Sequence, residues 1–351
     1  MSDDLYARLA DVLNRLPNGF PRTATGVELR ILEKIFSPEE AAVAVQLRGE
    51  MEPLDSIAAR LGMAEDEALA RLKAMAQRGL VWGDKHEGKR RFRLAPFVVG
   101  IYEAHLDEMD HEFAHLFEAY MAAGGTAGIM GFQPALHRVV PARGTAKTEW
   151  ILPYDDVKAL LMEGKTFRVR DCICRVQQKL IGKGCDAPLH TCLAFYNIPL
   201  PPSPDDVTLD GALALLDMAE EAALVHTVSN VAKGVNYVCN CCGCCCGILR
   251  GITEYGLADS VAAANYYAVV DEAACAGCGI CESRCQVGAI AVGDGGVAVV
   301  ERARCIGCGL CASGCPEEAV VLHLKPEPEI VHPPEDFAAW ERARLRNRGM
   351  A

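Results

Sequence analysis

Apolar residues recur at helical spacing through the first third of the chain. Ile57, Ala58 and Leu61 mark one face of a helix expected over 54–61. Leu69, Leu72 and Met75 mark another over 64–78, which Gly79 stops. Two helices are expected before them, over 26–35 and 38–48, the second with Ser37 as N-cap and Pro38 at its first position. The period then changes. Leu80-Val81-Trp82 and Arg91-Phe92-Arg93-Leu94 flank a polar turn carrying Gly83 and Gly88, which predicts a β-hairpin. Beyond it, Leu106, Met109, Phe113, Leu116, Phe117 and Tyr120 predict one long helix over 101–122, broken by the Gly124-Gly125 run.

Helix, helix and hairpin, from Leu54 to Leu94, resemble a winged helix in order and length. Such modules often bind DNA through the second helix and the wing, so the basic residues matter. The wing carries Lys85, Lys89, Arg90, Arg91 and Arg93, and the helix carries Arg71, Lys73 and Arg78. Glu65, Asp66 and Glu67 make the helix start acidic, and cations and anions nearly balance over 22–93. Packing or protein docking is therefore the expected role, with DNA as the alternative. On the following helix, His111-Glu112-Phe113-Ala114-His115 has the H-E-x-x-H form of zinc proteases. Glu118 stands where the longer motif needs glycine, and no third ligand is evident nearby, so a solvated helix face is expected.

The middle of the chain alternates between the two periods. Glu149-Trp150-Ile151-Leu152, Phe167–Arg170, Leu224–Val228 and Tyr237-Val238 read as strands. Helices are expected from Tyr154 to Met162, from Arg175 to Ile181 and from Asp210 (as cap) to Ala223. This predicts a small α/β domain over 140–262. Ten cysteines fall at its strand ends and loops: Cys172, Cys174, Cys185, Cys192, Cys239, Cys241, Cys242, Cys244, Cys245 and Cys246. An iron–sulfur cluster needs only four thiolates, and adjacent cysteines are expected to diverge. Some of the ten should thus ligate an additional cluster, while others bind zinc or stay free. Arg170 and Arg175 stand where they can tune that site.

Eight further cysteines form two quartets of identical spacing, 30 residues apart: Cys275, Cys278, Cys281, Cys285 and Cys305, Cys308, Cys311, Cys315. Each reads C-x2-C-x2-C-x3-C, the run whose first three thiolates hold one four-iron cluster while the fourth serves the neighbouring cluster. Cys275, Cys278, Cys281 and Cys315 should hold one cluster, and Cys305, Cys308, Cys311 and Cys285 the second. The repeat continues in Gly277 and Gly279 against Gly307 and Gly309, and in Ala289-Ile290 against Ala319-Val320, with Asp294-Gly295-Gly296 as a turn between the halves. Residues 266–325 closely resemble the two-cluster bacterial ferredoxins. Pro316 follows the second quartet, whereas Gln286 follows the first where that family usually has proline; no consequence is expected from this.

Taken together, the winged helix, Cys172-Ile173-Cys174-Arg175, the six-cysteine run and the twin quartets resemble a set of four-iron-cluster binding proteins of anaerobic bacteria. That resemblance implies cluster binding and electron transfer, without a defined reaction. Cys241-Cys242-Gly243 and Cys245-Cys246-Gly247 are also similar to the Cys-Cys-Gly motif of heterodisulfide reductase subunits, which implies a catalytic cluster as an alternative. No dinucleotide fingerprint and no P-loop is present.

Composition narrows the picture further. The chain has 351 residues, 51% of them hydrophobic, which allows two or three domains with real cores. A net charge of −12 disfavours general affinity for nucleic acid and suits docking on a basic redox partner. The acidic start from Met1 and the absence of an 18-residue apolar run predict neither a secretion signal nor a membrane span. Eighteen cysteines then point to metal ligation in a reducing cytoplasm.

The expected architecture is α+β and multidomain: a winged-helix domain over 1–100, a helical connector over 101–139, the Cys-rich α/β domain over 140–262, a 2[4Fe-4S] ferredoxin domain over 263–325 and a helical tail over 326–351. In that tail a helix from Glu335 to Asn347 should be anchored by Phe337, Trp340 and Leu345. The expected function is electron transfer to or from a redox partner protein through two [4Fe-4S] clusters and one additional iron–sulfur cluster, without stand-alone catalysis. A redox-responsive DNA-binding regulator and a reductase subunit are the alternatives. Oligomeric state is not legible in the sequence.

Overall fold

The computed structural model describes residues 2–147, 149 and 151–350. They fall into two compact units, Met1–Phe132 with Leu180–Gly182 and Arg344–Ala351, and Gln133–Lys179 with Lys183–Ala343.

In the first unit the helices Ser2–Arg15, Val27–Ile35 and Pro38–Ala44 precede a short strand β1 (Glu52–Pro53), the helices Leu54–Leu61 and Glu65–Gln77, and the hairpin β2 (Val81–His86) and β3 (Lys89–Leu94). The strands pair antiparallel in the order β1-β3-β2. Local signals account for most of these boundaries. Ser37 and Glu40 form a reciprocal capping box, each side chain bonding the other's backbone N–H. Gly62, at φ 66°, ends the helix before it. Ile57, Ala58, Leu72 and Met75 are buried, as their spacing predicts.

The long helix expected over 101–122 is broken. Met109 is extended, and the Asp110 side chain accepts from the Phe113 N–H at 2.8 Å, so a fresh helix starts at His111 and runs to Tyr120. An aspartate that can cap competes with continuing the helix through it. Phe113, Leu116, Phe117 and Tyr120 still bury together.

The tail helix, Phe337–Asn347, was expected to be anchored by apolar residues. Trp340 does bury, donating its indole N–H to the Ala135 carbonyl at 2.9 Å, but Phe337 is 41% exposed. The fully buried side chain is Arg344, whose guanidinium donates to the carbonyls of Pro17, Ile129 and Phe132. Burial, with the like charge of Arg348 nearby, holds its pKa down to about 9.

The second unit is built on a six-stranded sheet of β4 (His137–Val139), β5 (Thr166–Asp171), β6 (His190–Tyr196), β7 (Asp206–Val207), β8 (Val225–Ser229) and β9 (Tyr237–Cys241). Its order is β4-β8-β9-β6-β5-β7. The alternation of strand and helix suggested an α/β domain, yet every neighbouring pair is antiparallel. The helices Val157–Met162 and Leu209–Glu221 pack their apolar stripes on one face, against Phe167, Val169, Leu193, Phe195 and Val238. Thr208, not Asp210, caps the longer helix, accepting from the Gly211 N–H. Asp156 caps the shorter one and so splits the helix expected from Tyr154. Of the strand expected over 149–152, Trp150 lies outside the described residues, as does Met1 at the chain start; Leu152 sends its N–H to the Tyr266 hydroxyl rather than to a strand.

The segment with the twin quartets belongs to the same unit. β10 (Tyr266–Val270) and β13 (Val320–Leu324) pair antiparallel, and β11 (Ile290–Val292) and β12 (Ala298–Val300) form the hairpin expected around Gly295-Gly296. Among the described residues no helix is long and apolar enough to cross a membrane.

Arg344→Met should unfold at lower urea concentration, losing about 3 kcal/mol, because three buried carbonyls lose their donor. Arg342→Met, on the exposed side of the same helix, should stay within about 0.5 kcal/mol of the parent.

Candidate metal centres

The twin quartets are gathered in a crossed pattern. Cys275, Cys278, Cys281 and Cys315 line one cavity, with Val292, Ala298 and Val320 around them. Cys285, Cys305, Cys308 and Cys311 line another, with Val287, Ile290, Ile306 and Leu322. The loop backbone makes this possible. Gly277 and Gly307 occupy equivalent left-handed positions at φ 64° and 70°, and a Cβ there would meet the Gly296 and Tyr266 carbonyls at 2.1 and 2.4 Å. Backbone donors already reach the sulfurs: the Ala289 N–H bonds Cys285 Sγ at 3.1 Å, and the Ala298 N–H bonds Cys275 Sγ at 3.4 Å. A thiolate cage with apolar walls and amide donors fits a four-iron cluster. The two cavities differ in exposure. Cys278 is exposed, whereas Cys308 is partly covered and burial pushes its thiol up to about 12.

The ten middle cysteines separate into two groups. In β9, Val238 belongs to the core under the helix Leu209–Glu221, and Asn240 reaches the same helix through His226, which bonds both Asn240 Oδ1 and Glu220 Oε1. Strand alternation therefore turns Cys239 and Cys241 to the opposite face. On β6 Leu193 and Phe195 face the core, which places Cys192 with Cys239 and Cys241. Thiol contacts run in a chain from Cys172 to Cys174, Cys246, Cys241, Cys239 and Cys192.

The other four thiols pack on the helix side, where Cys242 and Cys245 are buried with Ala219 and Leu224 and Cys185 packs against them. Sγ of Cys185, Cys242, Cys244 and Cys245 all lie within 4.8 Å of one another. The expectation that neighbouring cysteines diverge holds for Cys241 and Cys242, which belong to different groups. It fails for Cys244 and Cys245, whose sulfurs are 3.7 Å apart because a turn, not a strand, carries them.

Arg175 lies between the groups. It is fully buried, and its guanidinium donates to the Asn240 carbonyl at 3.0 Å, to Thr191 Oγ1 and to Cys242 Sγ at 3.7 Å. Burial opposes its charge, but Cys172, Cys242 and Cys241 outweigh burial and raise its pKa. Hydrogen bonds from Cys245 and Arg175 pull the Cys242 thiol down despite burial. Cys174 sits inside the helix Ile173–Leu180 rather than before it. Arg170 is turned toward Asp205, at 3.8 Å.

Gln286 has a consequence after all. Its side-chain oxygen accepts from the Gly243 N–H at 2.8 Å, and its carbonyl lies where a Cβ on Gly243 would come within 2.0 Å. The residue after Cys285 thus seats the cysteine-rich turn directly on the dicluster segment. Arg284 adds bonds to the carbonyls of Glu220 and Glu221. A lone glutamine gave no sequence signal for this; the glycine inside the cysteine run was the available hint.

The remaining candidate chemistry does not assemble. Glu112 pairs with Lys34 at 3.0 Å and Arg30 at 3.7 Å, and among the described residues His111 and His115 join no metal-binding group. Several hairpin and helix cations are engaged within the unit: Arg91 with Asp84, Arg71 with Glu67, Arg78 with Glu40, and Arg93 over Trp82.

Residues 274–320 match the family model described as a 4Fe-4S dicluster domain. No curated protein and no solved structure matches the chain. The match covers all eight quartet cysteines, and this part of the chain is an iron–sulfur binding segment of ferredoxin type.

Gly243→Ala should lower the unfolding free energy of the second unit by about 1–3 kcal/mol, the usual cost of overpacking. Gln286→Ala, which removes only the hydrogen bond, should cost about 1 kcal/mol. Urea titration followed by circular dichroism checks both.

Proposed function

We propose that this protein transfers electrons between a redox partner and a series of iron–sulfur clusters. Two are [4Fe-4S] clusters, one ligated by Cys275, Cys278, Cys281 and Cys315, the other by Cys305, Cys308, Cys311 and Cys285. An additional cluster takes its ligands from Cys172, Cys174, Cys192, Cys239, Cys241 and Cys246. The observation that carries the reading is the crossed gathering of the quartets round two cavities, inside a segment that matches a dicluster family model.

When bound, such clusters accept and release single electrons at potentials set by hydrogen bonds, charge and solvent exposure. The chain's residues supply those controls. Ala289 and Ala298 donate N–H bonds to Cys285 and Cys275. Ile290, Ile306 and Leu322 exclude water from the second cavity. Exposed Cys278, beside exposed Ile280 and acidic Glu282 and Glu317, offers the partner its nearest approach. A basic partner surface complements it. The Gly243–Gln286 contact joins the middle cysteines to the second cluster.

The hairpin unit is read as a winged helix serving protein docking in the cytoplasm. Ion pairing of its cations within the unit supports docking over DNA binding.

Anaerobically purified protein should carry about eight irons from the quartets and about twelve with the third cluster. Iron and sulfide assays, with EPR after reduction, count them; fewer than eight irons in intact protein would falsify the dicluster reading. Cys285→Ser should alter the signal of the cluster held by Cys305, Cys308 and Cys311 and leave the other unchanged. In a redox titration the cluster next to exposed Cys278 should titrate at the higher potential, since solvent stabilises its more negative reduced state.

A further inference from the structure

The four thiols on the helix side have a size that distinguishes one ion from a cluster. Four sulfurs bound tetrahedrally to zinc at about 2.3 Å are separated by about 3.8 Å along each edge. The separations are 3.8 Å for Cys185–Cys242, 3.6 Å for Cys185–Cys245 and 3.7 Å for Cys244–Cys245. A cubane interposes four irons and four sulfides and holds its ligands further apart. Within this same unit the quartets behave that way: among the described residues, no three thiols of either quartet lie within 4.8 Å of one another, while these four do.

We propose that Cys185, Cys242, Cys244 and Cys245 bind a single zinc ion in a tetrahedral all-thiolate site, separate from every iron–sulfur cluster. Four thiolates around one Zn2+ leave a centre of net charge −2, with the protons of the ligating thiols released to solvent. The surroundings suit that charge. Arg175 is buried, has no carboxylate within ion-pair distance among the described residues, and donates to Cys242 Sγ. It balances part of the charge and orients one ligand, as outer-shell donors do at metal sites. Zinc also outcompetes ferrous iron for such ligands.

The site explains why six cysteines crowd into eight residues. Cys241 and Cys246 turn to the other face, while Cys242, Cys244 and Cys245 curl round the ion with Cys185. Cys185 comes from a loop folded tightly back on its helix, where a Cβ on Gly184 would meet Lys179 Cγ at 2.3 Å. The ion ties that loop to the turn that Gln286 contacts, so its role is structural: it fixes the turn against the dicluster segment.

The test is zinc and iron quantification on the anaerobically purified full chain, with X-ray absorption at the zinc edge. About one zinc per chain with four sulfur neighbours at about 2.3 Å is expected. The Cys185→Ser/Cys244→Ser variant should lose the zinc and keep the EPR signals of the reduced dicluster segment, while Cys239→Ser keeps the zinc. Protein without zinc, zinc with nitrogen or oxygen neighbours, or a double variant that loses about four irons instead would overturn the proposal. If the double variant does not fold, absorption on the unsubstituted protein decides alone. Loss of the dicluster signals from the unsubstituted protein would count against the electron-transfer reading and leave the zinc assignment standing.

Discussion

A guanidinium buried with no carboxylate partner among the described residues is the constraint on which the central sheet depends. Arg175 cannot sit in that interior as a free cation, because desolvating an unpaired charge costs several kcal/mol. Its balance comes from sulfur: Cys172 and Cys241 on one side and Cys242 on the other favour the charged guanidinium. Its geometry comes from neutral groups, Thr191 and the Asn240 carbonyl, while Asn240 is itself held by His226 and the Thr191 carbonyl. The same side chain therefore couples the charge of these sulfurs to the register of strands β6 and β9. Protonating the sulfurs would strand the cation, and losing the cation would leave anionic sulfur without a neighbouring positive charge. Each accounts for the presence of the other.

Period and spacing made much of this molecule legible. The helix pair and hairpin over 54–94 follow from apolar spacing and glycine stops, and the crossed gathering of the quartets follows the spacing of the cysteines and their internal repeat. What escaped is what depends on partners distant in sequence. The anchor of the last helix is an arginine, since three carbonyls more than 200 residues away require donors, and no local pattern announces that. Strand–helix alternation does not reveal pairing direction, so the sheet's antiparallel order was hidden. Asp110 and Asp156 looked like ordinary polar positions within helices, but each caps a new one.

At the middle cysteines, legibility ended where secondary structure decides which way a side chain points. Ten thiols in a list form one pool. On a strand they alternate, and in a turn they converge, so Cys241 and Cys242 part while Cys244 and Cys245 meet. The substitution of Gln286 for a family proline illustrates the same limit. Proline shapes a turn locally, whereas glutamine offers an acceptor whose use depends on a glycine 43 positions earlier.

The crossed quartets have a further consequence, for biogenesis. Each cavity draws its fourth wall from the other half of the repeat: Cys315 completes the cavity begun at Cys275, and Cys285 that begun at Cys305. Neither can close while the chain ends before Cys311, and the first stays open until Cys315 has left the ribosome. During synthesis the earlier thiols of each cavity wait without their last partner. Delivery of iron and sulfide to this segment is thereby deferred until Cys315 has emerged, and a chain truncated before residue 315 retains both the hazard of exposed thiols and an incomplete cradle.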